Sequence, residues 1–300
     1  MNGPLFLVLA LLLLASPTNG QQESPLSAVV NSELAFAKMG REKGIKASFV
    51  AFFADSSIVF RQKPVNGKAW YEKIPESPAL LLWYPSFADV AASGDWGYST
   101  GPSEYRAKGK DDPQVNYGFF ASIWKKQSDG SWKVFMDFGT STPVPSTKPP
   151  VFSAAGATLR KSAGPTNHTV EKAGLLKTDR DFAASSASGG LVSAYQLFSA
   201  PTIRYMRRQH FPALGNDSAL AAVKASGGVA TWNAMEGDIA SSADLGLTYG
   251  HYEWKKNATD DKPSETGYYA KFWKKQPDGA WKIVLDALLP TPPVPPKPSN

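Results

Sequence analysis

Two stretches set 149 residues apart read almost alike: KKQSDGSWK, from Lys125 to Lys133, and KKQPDGAWK, from Lys274 to Lys282, with seven of nine letters shared. The match runs without a gap from Trp83 through Asp137 onto Trp232 through Asp286, with 21 identities over 55 positions. Upstream the offset becomes 146, and Phe36, Gly44, Phe52 and Ala54 meet Phe182, Gly190, Phe198 and Ala200. A two-copy period of this size means a duplicated domain and excludes a solenoid, whose repeats run about 20–50 residues. The expected organisation is a first unit over 21–141, a proline-rich linker over 142–168, a second unit over 169–289 and a proline-rich tail over 290–300. Linkers of this composition are extended and semi-rigid.

Each unit opens with helical signals. Ser24 precedes Pro25, a cap followed by proline at the first helical position. Leu26, Val30 and Leu34 then recur every four residues and read as the apolar face. Ile45, Phe49, Phe52 and Phe53 mark one face of a second helix, and a short third helix is expected near 68–73 and near 218–224. Strand-like runs follow at about 81–92, 96–107, 116–126 and 131–139. Asp129-Gly130 between the last two is a hairpin signal, so the twice-written KKQxDGxWK is a turn that each unit needs for itself. Helices followed by an antiparallel meander give an α+β unit. Along the last strand Val134 and Met136 point one way and Phe135 the other, so both sheet faces are apolar. One face is covered by helices; the other is expected against the sister unit, giving a pseudo-dimer within one chain and a monomer in solution.

The segments SADLGLTYGHYEW (242–254), GYYAKFWKKQPDGAWKIVLD (267–286) and their first-copy counterparts resemble strands of the nuclear transport factor 2-like superfamily, as FVAFFADSSIVF (49–60) resembles its helix-to-strand element. This is the cone-shaped group that includes ketosteroid isomerase and SnoaL-like proteins, and the likeness is strongest to uncharacterised bacterial exported members. The resemblance implies two tandem cone-shaped domains. It also raises the isomerase chemistry, in which an aspartate base works with a tyrosine and a neutral aspartic acid. The family's base precedes a proline after the helices; here Lys63 precedes Pro64 and Phe211 precedes Pro212, so neither copy offers the carboxylate.

Other residues remain as candidates. His210 sits one residue from that turn, and histidine is a residue type able to serve as a base near neutral pH. Asp137 and Asp286 stand late in the last strand among apolar neighbours, where a raised pKa would make an acid. Glu236, His251 and Tyr249 add polar options to the second copy. Phe53, Trp83, Tyr98 and Asp137 in the first copy, with Trp232 and Tyr249 in the second, are candidate ligand contacts, since aromatic walls suit apolar or planar molecules. Asp95, Asp244, Asp129 and Asp278 read as turn residues. The chain has no cysteine and three histidines without metal-ligand spacing, and it lacks a phosphate-cradling glycine loop. No metal and no cofactor are therefore expected. The net charge of +6 is scattered rather than gathered on one face, against nucleic-acid binding.

These features favour a binding protein for a small apolar or aromatic ligand. The alternative is a cofactor-free acid–base enzyme (isomerase, dehydratase or hydrolase) with its site in the second copy; a third reading is an assembly domain with filled cones. The uncharged start, with apolar residues from Leu5 to Ala15 and small residues up to Gly20, reads as a signal peptide over 1–20 and places the protein in the periplasm or outside the cell, with no membrane segment left after cleavage. Intact-mass measurement of the protein recovered from an exporting host should show a chain beginning at Gln21; a chain retaining the first twenty residues would contradict export by cleavage.

Overall fold

The computed structural model describes residues 23–147, 150–155 and 167–291. The expected signal peptide, the middle of the linker and the tail beyond residue 291 lie outside the described residues. The first unit contains α1 (Pro25–Lys43), α2 (Ile45–Phe52), β1 (Phe53–Phe60), β2 (Pro64–Asn66), α3 (Gly67–Lys73), β3 (Leu80–Trp83), β4 (Phe87–Val90), β5 (Trp96–Arg106), β6 (Asn116–Lys126) and β7 (Trp132–Ser141). The two-residue β8 (Ser153–Ala154) follows in the linker and pairs with β4. The second unit contains α4 (His168–Phe198), β9 (Ser199–Met206), β10 (Ala213–Leu214), α5 (Asn216–Ser226), β11 (Val229–Ile239), β12 (Leu245–Lys255), β13 (Glu265–Lys275) and β14 (Trp281–Pro290). The strand orders are β2-β1-β7-β6-β5-β4-β8, with β3 also on β5, and β10-β9-β14-β13-β12-β11. The chain is thus an α+β protein with one curved sheet per unit. The meander is antiparallel, and β1 and β9 add a parallel ladder on the far side of β7 and β14.

Helix α1 begins where the sequence places it: the Ser24 hydroxyl accepts from the Ser27 amide at 3.1 Å. Its inward face differs from the expected one. Val29, Glu33, Phe36 and Gly40 are buried, whereas Leu34 is 45% exposed. Two local fits turn the helix this way. Glu33 accepts hydrogen bonds from the sheet, and Gly40 lets the Trp83 ring come so near that a Cβ would sit 2.8 Å from it. The expected long first strand is broken into β3 and β4 in the first unit and continuous as β11 in the second. Gly101 and Gly250 occupy matching places opposite it; a side chain there would strike the Tyr84 or Asn233 carbonyl at 2.0 and 2.2 Å.

Helices and one sheet face enclose a separate core in each unit. The other two sheet faces meet in a third cluster, which takes Trp96, Tyr98, Ile123 and Met136 from the first unit and Leu245, Leu247, Phe272 and Leu285 from the second. Its polar contacts are reciprocal. Lys125 Nζ lies 2.9 Å from Asp238 Oδ2, and Lys274 Nζ lies 2.6 Å from Asp89 Oδ2, each partner displaced by 149. Asp244 accepts from the Ala92 amide at 3.1 Å and Asp95 from the Ser241 amide at 3.3 Å. The Ser93 and Ser242 hydroxyls meet at 2.9 Å, where a local two-fold axis must pass. Asp95 and Asp244 therefore do more than shape their own turns: each ties down the sister turn. This is the self-complementary geometry of a two-fold dimer interface, built here within one chain.

Phe272 lies at the centre of that interface, fully buried, its ring 5.0 Å from Tyr98 and 6.0 Å from Phe138. Phe272→Ala should cost about 3–5 kcal/mol in urea unfolding and should destabilise both units together. A loss confined to spectroscopic probes of the second unit would show that the units do not support each other.

Candidate functional site

The two units place equivalent residues behind the helices and use them differently. In the first, the buried Glu33 carboxylate accepts from Trp83 Nε1 at 2.6 Å, Ser99 Oγ at 2.6 Å and Trp124 Nε1 at 2.8 Å. Burial pushes this carboxyl above its ordinary range, against the pull of those hydrogen bonds. Further along the cone, Ser122 Oγ donates to Asp137 Oδ2 at 2.9 Å. The other Asp137 oxygen makes no hydrogen bond to a described residue. Burial, and after it the Glu33 charge, push the Asp137 carboxyl up to about 8, which favours the protonated acid at neutral pH.

In the second unit the counterparts are Asp179, Thr248, Trp273, Lys271 and Asp286. Tyr269 donates to Asp179 at 2.7 Å, and Trp273 donates to Thr248 at 2.8 Å. Lys271 replaces Ser122. Its ammonium is fully buried, 3.5 Å from Asp179 and 3.5, 4.1 and 4.6 Å from the ring centres of Tyr269, Trp232 and Phe182. Burial pulls its pKa down, while Asp179 opposes that shift. Asp286 has no exposed surface and lies 2.7 Å from Arg207. The second interior therefore sets Lys271 and Arg207 against Asp179 and Asp286. The first sets Arg61 alone against Glu33 and Asp137.

One exchange explains where the arginines go. Tyr195 in the second unit stands at the place of Phe49, and its hydroxyl accepts from Arg207 at 3.0 Å, holding the guanidinium over Asp286. Phe49 has no hydroxyl to offer. Arg61 turns instead to Tyr71 on α3, to which it donates at 3.1 Å, and stacks 5.2 Å from the Trp70 ring. Burial pushes the Tyr71 hydroxyl up to about 12 despite Arg61.

Asp137 thereby opens on a cavity of about 570 Å³. Phe49, Phe60, Trp70, Tyr71, Leu81 and Phe138 supply apolar walls; Arg61 and Thr140 add polar groups. The buried Thr140 hydroxyl has no hydrogen-bond partner among the described residues. Arg208, Leu288, Leu289 and Pro290 of the second unit complete the rim, so Pro290 belongs to the packed structure rather than to a free tail.

The remaining candidates from the sequence fall elsewhere. Phe53 is a core residue among Phe36, Phe49 and Tyr71. Trp83 holds Glu33 and lines a separate groove beside α1. Trp232 covers Lys271 and donates to Ser186 at 3.2 Å. Tyr98 and Tyr249 belong to the interface between the units. His210 is exposed, its Nδ1 3.0 Å from the Arg208 carbonyl. Glu236 is exposed and paired with Lys172 at 2.8 Å, and His251 packs 5.7 Å from the Tyr268 ring. These groups and Asp286 do not converge on one cavity. Glu33, Arg61, Tyr71 and Thr140 were missed. Lys271 carried a readable signal: it shares an inward strand face with Tyr269 and Trp273, an unusual place for a charge. Among the described residues no cluster of three or more His, Asp or Glu could hold a metal, and no helix is long and apolar enough to cross a membrane.

No family model and no curated protein matches the chain. Among solved structures it is similar to an NTF-2 like protein of unknown function from Shewanella oneidensis MR-1, at 20% identity over 39% of this chain and 95% of that one, with a TM-score of 0.31. It is similar also to a ketosteroid isomerase-like protein from Erwinia carotovora atroseptica SCRI1043, at 14% identity over 40% of this chain and 98% of that one, TM-score 0.33. A putative scytalone dehydratase from Novosphingobium aromaticivorans DSM 12444 aligns at 17% identity over 41% and 85%, TM-score 0.35.

The two aspartates should respond differently to substitution. Asp286→Ala strands a buried guanidinium and should cost about 3–5 kcal/mol. Folded Asp137 holds its proton to about pH 8, whereas an unfolded aspartate releases it near pH 4. The folded state binds the extra proton between those limits, so this group's contribution to stability is full below about pH 4 and is lost as pH rises to about 8. Urea unfolding of Asp137→Asn should show a slope of stability against pH reduced by up to one proton over that window. An unchanged slope would mean that Asp137 is ionised in the folded protein.

Proposed function

We propose that the cavity of the first unit binds a small, largely apolar molecule that carries a hydrogen-bond acceptor, such as a ketone oxygen. One arrangement carries this reading: a carboxyl pushed toward its neutral form, with an oxygen that bonds to no described residue, stands at the wall of a cavity that five aromatic side chains help to line. Leaving a buried polar group unpaired costs about 1–3 kcal/mol; the buried Thr140 hydroxyl would gain a partner from such a ligand, and the part-buried Asp137 carboxyl would gain an acceptor. Cavities of this size and lining suit drug-sized molecules. The second unit is the scaffold: its own polar interior is closed by ion pairs, and it lends residues to the rim.

An acid–base enzyme needs a second titratable group opposite the first. Asp137 is the one carboxyl among the residues lining this cavity and no histidine is among them; the Tyr71 hydroxyl also lines it, but pushed up to about 12 it stays protonated at neutral pH and offers no base. Binding is therefore the reading we carry forward, in a protein we also read as exported on the strength of its apolar N-terminal run. The fluorescent ketone 6-acetyl-2-dimethylaminonaphthalene serves as probe. It should bind at pH 6 and lose affinity between about pH 7 and 9 as Asp137 ionises. Asp137→Ala should weaken binding about tenfold and remove the pH dependence. Equal affinity in the variant, or binding indifferent to pH, would overturn the assignment.

A further inference from the structure

The interface between the units obeys its two-fold axis closely in its ion pairs but not in its packing. On one side it encloses a cleft of about 680 Å³, lined by Phe87, Tyr98, Ala200, Arg204, Lys274 and Val284 among others. The positions related to these by the repeat offsets are Glu236, Leu247, Ala54, Ile58, Lys125 and Phe135. Two exchanges distinguish the sides. Phe135 packs into the interface with Lys125 Nζ 4.8 Å from its ring centre, whereas Val284 lacks that ring and leaves space. Ile58 packs against the same cluster, whereas Arg204 puts a guanidinium there.

Arg204 lies flat against Phe87, its Cζ 3.3 Å from the ring centre. Its one hydrogen bond to a described residue runs from Nη1 to the Thr202 carbonyl at 3.4 Å. Among the described residues no carboxylate lies within ion-pair distance of it. The other charged groups of the cleft are engaged. Lys274 pairs with Asp89, Lys275 pairs with Glu171 at 2.8 Å, and Asp244 accepts from the Ala92 amide and the Ser242 hydroxyl. A guanidinium carries five donors in a planar fork that matches a carboxylate. One fixed against an aromatic ring loses little further freedom on pairing. Ala154, Ala155, Ala200, Pro201 and Val284 form an apolar part of the wall, and Thr202 and Gln276 add uncharged polar groups.

We propose that this cleft binds a small organic carboxylate, whose charged end pairs with Arg204 and whose apolar body fills the space that a phenylalanine ring takes on the other side of the axis. The site is distinct from the first unit's cavity and shares no residue with it. Its chemistry differs as well: a fixed cation awaits an anion here, where a neutral acid awaits an acceptor there.

Isothermal titration with phenylacetate tests the assignment, with phenylacetamide as the uncharged control. Wild-type protein should bind one phenylacetate at sub-millimolar concentration, and phenylacetamide at least about tenfold more weakly. Arg204→Gln removes the charge. Val284→Phe leaves Arg204 intact and rebuilds the ring of the opposite side. Each should weaken phenylacetate by about tenfold or more, while Asp137→Asn should leave it unchanged. No binding by the wild type, equal affinity in Val284→Phe, or loss in Asp137→Asn with retention in Val284→Phe would each overturn the proposal.

Discussion

A curved sheet with two apolar faces has to be covered twice, and the whole molecule follows from how this chain covers its second face. Helices shield one face of each sheet. The other faces shield each other, through a cluster that joins Trp96, Tyr98 and Met136 to Leu245, Leu247 and Phe272. Apolar burial is non-directional and would not by itself fix the register between the sheets. The reciprocal contacts supply direction: Lys125 with Asp238, Lys274 with Asp89, and each turn aspartate on the sister turn's amide. Asp89 is buried and Lys274, Lys125 and Asp238 are partly so, and for such pairs desolvation offsets much of the attraction. Their role is to fix one arrangement out of many that the apolar faces would permit.

Once two units share a scaffold, they need not share a task. The same carboxylate position faces two electrostatic settings. In the second unit two cations match two carboxylates, and Asp286 is sealed beside Arg207. In the first, Ser122 stands where Lys271 supplies charge, and Tyr71 draws Arg61 aside. One carboxyl at the cavity wall then lacks a close counter-ion, and taking up a proton removes its charge. A neutral Asp137 beside an open cavity is thus the consequence of two substitutions between copies, at 122 and 49, rather than of any special feature of Asp137 itself.

Much of the fold could be read from the chain. The repeat gave the duplication, the Asp-Gly turns gave the hairpins, and the two-sided apolar pattern of β7 gave the covered second face. The inward face of α1 differs from the expected one because Leu26, Val30 and Leu34 satisfy helical spacing as well as the true inward set does; the contacts of Glu33 and Gly40 with the sheet decide between them. The site was less legible for the same reason. A glutamate in a helix carries no mark of burial, and whether an arginine pairs with the strand aspartate or turns to Tyr71 depends on whether the helix before it presents a hydroxyl, as Tyr195 does and Phe49 does not. The two asymmetries that matter, Ser122 against Lys271 and Phe135 against Val284, were visible in the alignment of the repeats, but their meaning needed the cross-strand register that sets Ser122 opposite Asp137 and Lys271 opposite Asp286.

The protonation of one side chain therefore decides between a binding cavity and an inert cone. Carbon-13 NMR of aspartate-labelled protein, with the Asp137 carboxyl assigned by its loss in Asp137→Asn, reads that state directly. The carboxyl shift should titrate with an apparent midpoint near pH 8, while the Asp137 signal stays in its protonated position at pH 6. A midpoint near pH 4 would show an ionised Asp137, and the contrast between the two interiors would no longer explain the open cavity.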